Sequence, residues 1–423
     1  MMNIVCVPTG LIDLEHPQKG IETISESGFD SILFDMAACC PPDELEKMGK
    51  PGGRIDDSRY PAGLAESIAP LLKQCLERKM HISIVRAPRL FRNTKRCDLT
   101  DVLSDLAKEC IKICARAGCR QLIVSPVFAG VPHGTEWDVN RKYYLGLVNI
   151  ARENDVTILL ESQFRDMNGH LIRGICMDVN ETAAWIDRLN RDAGEERFGF
   201  CMDIGVCTIC GQGVQELTMT LNSRIKAVIL RDCDGQHDTS MLPFTCINYG
   251  HLQTDWTGLI LGLRENCYDG SLIIDFGSNT MTYSHLLRPQ MLRMAKMTAD
   301  YFRWQIAIKA VIKKYDKRVL FGAGNMCRNY MKCYGREFPP LFTCDNDENR
   351  WGGQIEGLEI RPPEALRELE QDCVIFICNI YYGEIEKQLR QMKIRNPVAY
   401  FSDEYMPPRY FNGIEGKSVT KND

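Results

Sequence analysis

The sequence predicts a (β/α)8 TIM barrel followed by a smaller α/β domain. Eight short apolar runs alternate with helix-like stretches through the first three quarters of the chain, and several end on a charged residue where the next loop begins. A new strand, turn and helix pattern then starts near residue 318, after a long helical stretch. Eight βα units of this spacing are what a closed barrel requires, and that fold carries its chemistry at the C-terminal ends of its strands.

The predicted strands are Asn3–Pro8, Ser31–Asp35, Ile82–Arg86, Gln121–Ser125, Thr157–Glu161, Phe198–Asp203, Ala227–Asp232 and Ser271–Asp275. Between them the apolar spacing predicts helices over His16–Gly28, Leu64–Lys79, Asp101–Ala117, Arg141–Asn154 and Asn180–Arg191, the third stopped by Gly118. The last helical stretch, Pro289–Lys314, is too long for a barrel helix alone and is expected to continue as a connector. The expected organisation is a barrel over 1–300, a helical connector over 301–316, a second domain over 317–410 and a flexible tail over 411–423.

At 423 residues the chain exceeds the usual single-core size, and its 44% hydrophobic content supplies apolar surface for two cores. The net charge of −5 has its signs interspersed, which points away from nucleic acid or anionic membrane as the main partner. No apolar run approaches the roughly 20 residues of a membrane span, and the N-terminus lacks a leader pattern, so a cytoplasmic protein is expected. Its twenty cysteines are scattered through predicted helices and strands and read as reduced thiols, not as a disulfide framework. Cys207 and Cys210 have C-x-x-C spacing, but no second pair or His follows at zinc-ribbon distance, and packed, inert thiols are the expectation.

The second domain opens on Arg318-Val-Leu-Phe-Gly-Ala-Gly-Asn-Met-Cys-Arg328, a buried strand, a glycine turn and a helix start. Leu341-Phe-Thr-Cys-Asp345 then predicts a strand ending on an acid. That is the order of a dinucleotide-type βαβ unit, with Gly322 and Gly324 for close approach to a phosphate and Asp345 for a ribose hydroxyl. Cys327 stands where a third glycine belongs, so a Rossmann-like turn without a nucleotide is an equal reading.

With Trp351-Gly-Gly and Gly357-Leu-Glu-Ile-Arg-Pro-Pro-Glu-Ala-Leu366, the tail resembles the small Rossmann-like domain appended to bacterial sugar- and surface-polysaccharide-modifying enzymes. The barrel resembles the xylose isomerase-like superfamily, which includes sugar-phosphate isomerases, epimerases and an endonuclease branch. Carrying that resemblance are Ile158-Leu-Leu-Glu161, Cys201-Met-Asp-Ile-Gly205, Val228-Ile-Leu-Arg-Asp-Cys-Asp-Gly235, Gly250-His-Leu-Gln-Thr-Asp-Trp256 and Gly270-Ser-Leu-Ile-Ile-Asp275. It implies a divalent ion, Mn or Mg, held by Glu161, Asp203 and Asp275. The chain departs from the superfamily pattern at Ile229, where a strand-seven His or Gln belongs, at Val206, and at Arg86 and Ser125. Without those imidazoles a multi-zinc nuclease site is not expected.

Glu161 and Asp275 are the candidate acid–base pair for proton transfer next to a sugar carbonyl. Arg86 and Arg231 suit forked recognition of an anionic sugar, with Gln163 and His251 as further substrate contacts. Trp137, Trp256 and Phe276 are candidates for the pocket floor. The expected function is a sugar or sugar-phosphate isomerase or epimerase acting on a small carbohydrate. Two alternatives stand beside it. One is a non-catalytic or metal-free carbohydrate-binding barrel in which the acids pair with Arg86 and Arg231. The other is an NAD-dependent oxidoreductase working through the second domain. Whether the chain forms a homo-oligomer is left open.

Overall fold

The computed structural model describes residues 3–12, 16–42, 45, 63–89, 99–128, 131–246 and 254–406. It divides into two compact units, Met1–Gly262 with Tyr268–Arg303, and Leu263–Cys267 with Trp304–Asp423. The division falls inside one continuous helix, Arg288–Lys314. Among the described residues no helix is long and apolar enough to cross a membrane.

The first unit is a closed parallel barrel. Its strands are β1 Val5–Pro8, β2 Ser31–Asp35, β3 His81–Arg86, β4 Gln121–Val124 and β5 Thr157–Glu161. A hairpin of β6 Phe164–Met167 and β7 His170–Arg173 intervenes, and β8 Phe198–Asp203, β9 Ile225–Leu230 and β10 Ser271–Ile274 complete the ring. Around the barrel the order is β1-β10-β9-β8-β5-β4-β3-β2. All eight strands stand within two residues of the ends expected from the sequence. The stretch predicted to run to Asp232 stops at Leu230, because the chain there folds back and Asp232 bridges antiparallel to Met241.

Two helices predicted as single pieces are split. Leu64–Lys79 becomes Leu64–Ser67 and Ala69–Glu77, since Pro70 has no amide hydrogen to continue the ladder. Arg141–Asn154 is covered by His133–Leu145 and Val148–Glu153, broken at Gly146. The hairpin went unanticipated, although Asn168 and Gly169, with φ of 56° and 88°, are the residue pair that a tight two-residue hairpin turn selects.

Side chains two apart on a strand share a face. The barrel interior is therefore a layer contributed by every strand: Cys6, Leu33, Ile84, Ile123, Leu159, Cys201, Ala227 with Ile229, and Ile273. The next inward seats toward the C-terminal mouth fall on Asp35, Arg86, Ser125, Glu161, Asp203, Arg231 and Asp275. The apolar layer seals the barrel below, and the polar ring above it is where chemistry is available.

The second unit holds a six-stranded sheet. Its strands are β11 Arg318–Phe321, β12 Thr343–Cys344, β13 Gln354–Ile355, β14 Leu358–Arg361, β15 Val374–Ile377 and β16 Val398–Tyr400. They lie in the order β13-β14-β12-β11-β15-β16, parallel except for the β13–β14 pair. Leu320, Val374 and Phe376 enter one apolar cluster, while Val319, Phe321, Ile375 and Ile377 enter another. Both faces are covered, which is why these strands read as unbroken apolar runs.

Gly322 follows β11 with φ +118°, and a Cβ placed there would lie 2.7 Å from the Cys378 carbonyl oxygen. Gly322→Ala combines backbone strain with a clash against main chain, and is expected to destabilise this unit by about 1–3 kcal/mol in urea denaturation. A change below about 0.5 kcal/mol would show that the turn relaxes freely.

Every cysteine among the described residues is a free thiol. Cys207 is fully buried and burial pushes its thiol well up, while burial raises Cys210 to about 12. Both are protonated at neutral pH and poor nucleophiles or metal ligands.

Candidate functional site

A cavity of about 270 Å³ opens at the C-terminal mouth of the barrel. It gathers residues that lie far apart in sequence: Arg86, Glu161, Gln163, Asp203, Arg231 and Asp275 all line it. His251 lies outside the described residues. The cavity also takes in Arg89, Phe128, Phe164, Asp238 and Ser240, none of which the sequence reading named. Asp35 joins them through ion pairs. Its signal was present, since it ends β2 in the same inward register as Glu161 on β5. Asp238 and Ser240 sit in a loop, where no periodicity marks which side chains turn inward.

The carboxylates are paired. Glu161 is 3% exposed and makes an ion pair with Arg86. It also accepts a hydrogen bond of 2.7 Å from the Ser125 hydroxyl. Arg86 lies 3.8 Å from Asp35, which accepts from Arg89 at 3.2 Å. Asp203 is 5% exposed and accepts from Arg231 Nε at 2.7 Å. The Asp203 side chain also caps the following turn by accepting from the Val206 amide at 3.2 Å. Arg231 further donates to Asp238 at 2.7 Å and to the Thr239 carbonyl at 2.9 Å.

Arg231 fits because residue 205 is glycine. A Cβ there would stand 2.6 Å from the guanidinium Nε. Burial works against the Arg231 charge, but Asp203 and Asp238 outweigh it and hold the group above its ordinary value. For Arg89, burial and then repulsion from Arg86 win, and its value falls to about 10. It remains a cation at neutral pH. Asp275 is bonded more lightly: its carboxylate accepts from the Ser240 hydroxyl and the Gly277 amide, both at 3.1 Å.

Of the three carboxylates expected to hold a metal, Glu161 and Asp203 are engaged by arginines in this structure. Among the described residues no group of three or more His, Cys, Asp and Glu side chains is arranged to hold a metal ion. The donor chemistry says why. Two of the three carboxylates already face a guanidinium, so a divalent ion among them would meet fixed positive charge at close range. Ile229 belongs to the apolar layer, and the inward seat above it, where a strand-seven ligand would reach the cavity, is held by Arg231.

The expected pocket floor is also revised. Trp137 packs on Trp185 with ring centroids 4.5 Å apart, and Trp256 packs against Phe244 and Phe302. Phe128 and Phe164 are the aromatic rings that line the mouth. In the second unit, Asp345 is taken up by the turn it was expected to serve. One carboxylate oxygen accepts from the Ala323 amide at 2.7 Å and the other from the Asp347 amide at 2.9 Å. Arg350 closes the same turn by donating to the Ala323 carbonyl at 2.8 Å.

This architecture matches a known one. The xylose isomerase-like TIM barrel model matches residues 53–294, and the chain belongs to that family. A second model, described as C2185-like, N-terminal, matches residues 314–397. No curated protein sequence matches the chain. Among solved structures, a D-tagatose 3-epimerase-like protein superposes with a TM-score of 0.52 at 15% identity, covering 74% of this chain and 100% of its own. A D-psicose 3-epimerase with D-tagatose from Clostridium cellulolyticum H10 gives 0.50 at 13% identity, covering 72% and 99%. At these identities the likeness is one of fold.

Proposed function

We propose that the barrel is a sugar isomerase or epimerase in which buried arginines supply the positive charge at the reacting oxygens. The observation that carries this reading is the convergence of Glu161, Asp203 and Asp275 with Arg86 and Arg231, from five separate strand ends, on one cavity. The solved neighbours named as 3-epimerases share the fold and support the substrate class. In this scheme Arg86 and Arg231 polarise the carbonyl and the adjacent hydroxyl of a ketose or sugar acid. Asp275, the one of the three carboxylates without a directly bonded arginine, removes the proton from the neighbouring carbon and becomes the carboxylic acid, while Glu161 takes a proton from solvent and delivers it to the opposite face; Asp275 then returns its proton to solvent. Gln163 and Ser240 orient hydroxyls.

The test is loss of the carbon-bound proton in D2O, followed by NMR over a panel of ketoses, sugar phosphates and sugar acids before and after exhaustive chelation. Exchange that survives chelation is the expected result. Exchange abolished by chelator and restored by Mn or Mg would overturn the arginine-based scheme.

The saturated pairing of Glu161 and Asp203 favours one second reading, a barrel that binds an anionic carbohydrate without turning it over. Saturable binding with no exchange for any ligand would support it. For the second unit, the sheet order supports a doubly wound, Rossmann-like reading. The bracing of Asp345 argues against nicotinamide use.

A further inference from the structure

A second cavity, of about 630 Å³, opens in the barrel unit between the segment after β1 and the segment after β10. Its polar wall is basic, built from Lys19, Arg288, His16 and His285. Among the described residues no acidic side chain lines it. Arg288 Nε is buried and has no hydrogen-bond partner. Leaving such a donor unsatisfied costs free energy, a cost that an acceptor in the cavity would remove.

Two helices start at the cavity edge. Pro17–Glu26 follows His16, which makes no side-chain capping bond, and has no acid in its first turn. Arg288–Lys314 likewise begins without an acid. Each start adds partial positive charge to the basic side chains. Ile12, Ile24 and Leu292 form an apolar wall of the same cavity.

We propose that this cavity binds an organic phosphate, its oxyanion held by Lys19, Arg288 and the helix start at Pro17, its apolar body packed on Ile12, Ile24 and Leu292. Bidentate and charge-assisted bonds from Arg288 supply orientation. The volume lies within the range of small-molecule pockets. This site is distinct from the barrel mouth and does not depend on the reaction proposed there.

The test is calorimetric titration of the full chain with phenyl phosphate and with inorganic phosphate in low salt. Phenyl phosphate is expected to bind saturably and about tenfold more tightly than inorganic phosphate, because the ring gains the apolar wall. The Lys19→Gln, Arg288→Gln double variant is expected to weaken phenyl phosphate at least about tenfold, while Arg288→Lys retains most of the affinity. Lys19→Gln alone, at an exposed residue, gives a smaller loss and serves if the double variant does not fold. Unchanged affinity in Lys19→Gln and in the double variant would place any phosphate binding elsewhere and overturn the proposal. Absence of saturable phenyl phosphate binding up to about 10 mM would also overturn it.

Discussion

Asp275→Asn is expected to slow proton exchange at the sugar carbon by about 10²–10⁴-fold, the usual worth of a positioned general base. The substitution keeps shape. An amide oxygen can still accept from the Gly277 amide, and the amide nitrogen can meet the Ser240 hydroxyl, which is free to rotate. Stability is therefore expected to change by less than about 1 kcal/mol, and the loss falls on chemistry alone. Deuterium incorporation measured with the best substrate, alongside a urea melt of each protein, separates the two effects. A loss smaller than about tenfold with an intact fold would remove Asp275 from the role of base.

Arg231→Met carries the largest expected stability effect. The residue is 5% exposed and its side chain bonds Asp203, Asp238 and the Thr239 carbonyl together. Methionine fills much of the volume but leaves Asp203, itself 5% exposed, as a buried charge without its counter-ion. The expected cost is about 3–5 kcal/mol. Arg231→Met combined with Asp203→Leu removes both charges and is expected to recover part of that loss. Denaturant midpoints of wild type, both single variants and the double variant give the coupling directly. A single-variant cost under about 1 kcal/mol would mean that solvent or neighbouring loops screen the pair.

Much of this arrangement is legible in the sequence. The eight apolar runs fixed the strands because a parallel barrel buries both faces of each one, and Glu161, Asp203 and Asp275 fell at strand ends in one inward register. Arg86 and Arg231 share that register and were read as substrate contacts, with pairing to the acids as the alternative. What periodicity does not encode is which opposite charges meet across the ring. That depends on neighbouring strands, β3 beside β2 and β8 beside β9, and so on closure. The loop residues Asp238 and Ser240 were missed for a related reason: the fold-back that brings them inward rests on the Asp232–Met241 bridge, a non-local contact. The Trp137 and Trp256 expectation failed because aromatic residues near a rim pack on the nearest helix as readily as on a ligand.

The glycine beneath Arg231 sets which substitutions the mouth can accept. A side chain at 205 collides with the guanidinium, and a shorter residue at 231 leaves a hole and a stranded acid. Position 205 is therefore confined to glycine for as long as the arginine is kept, and the arginine can be exchanged without leaving a buried charge unpaired only together with Asp203.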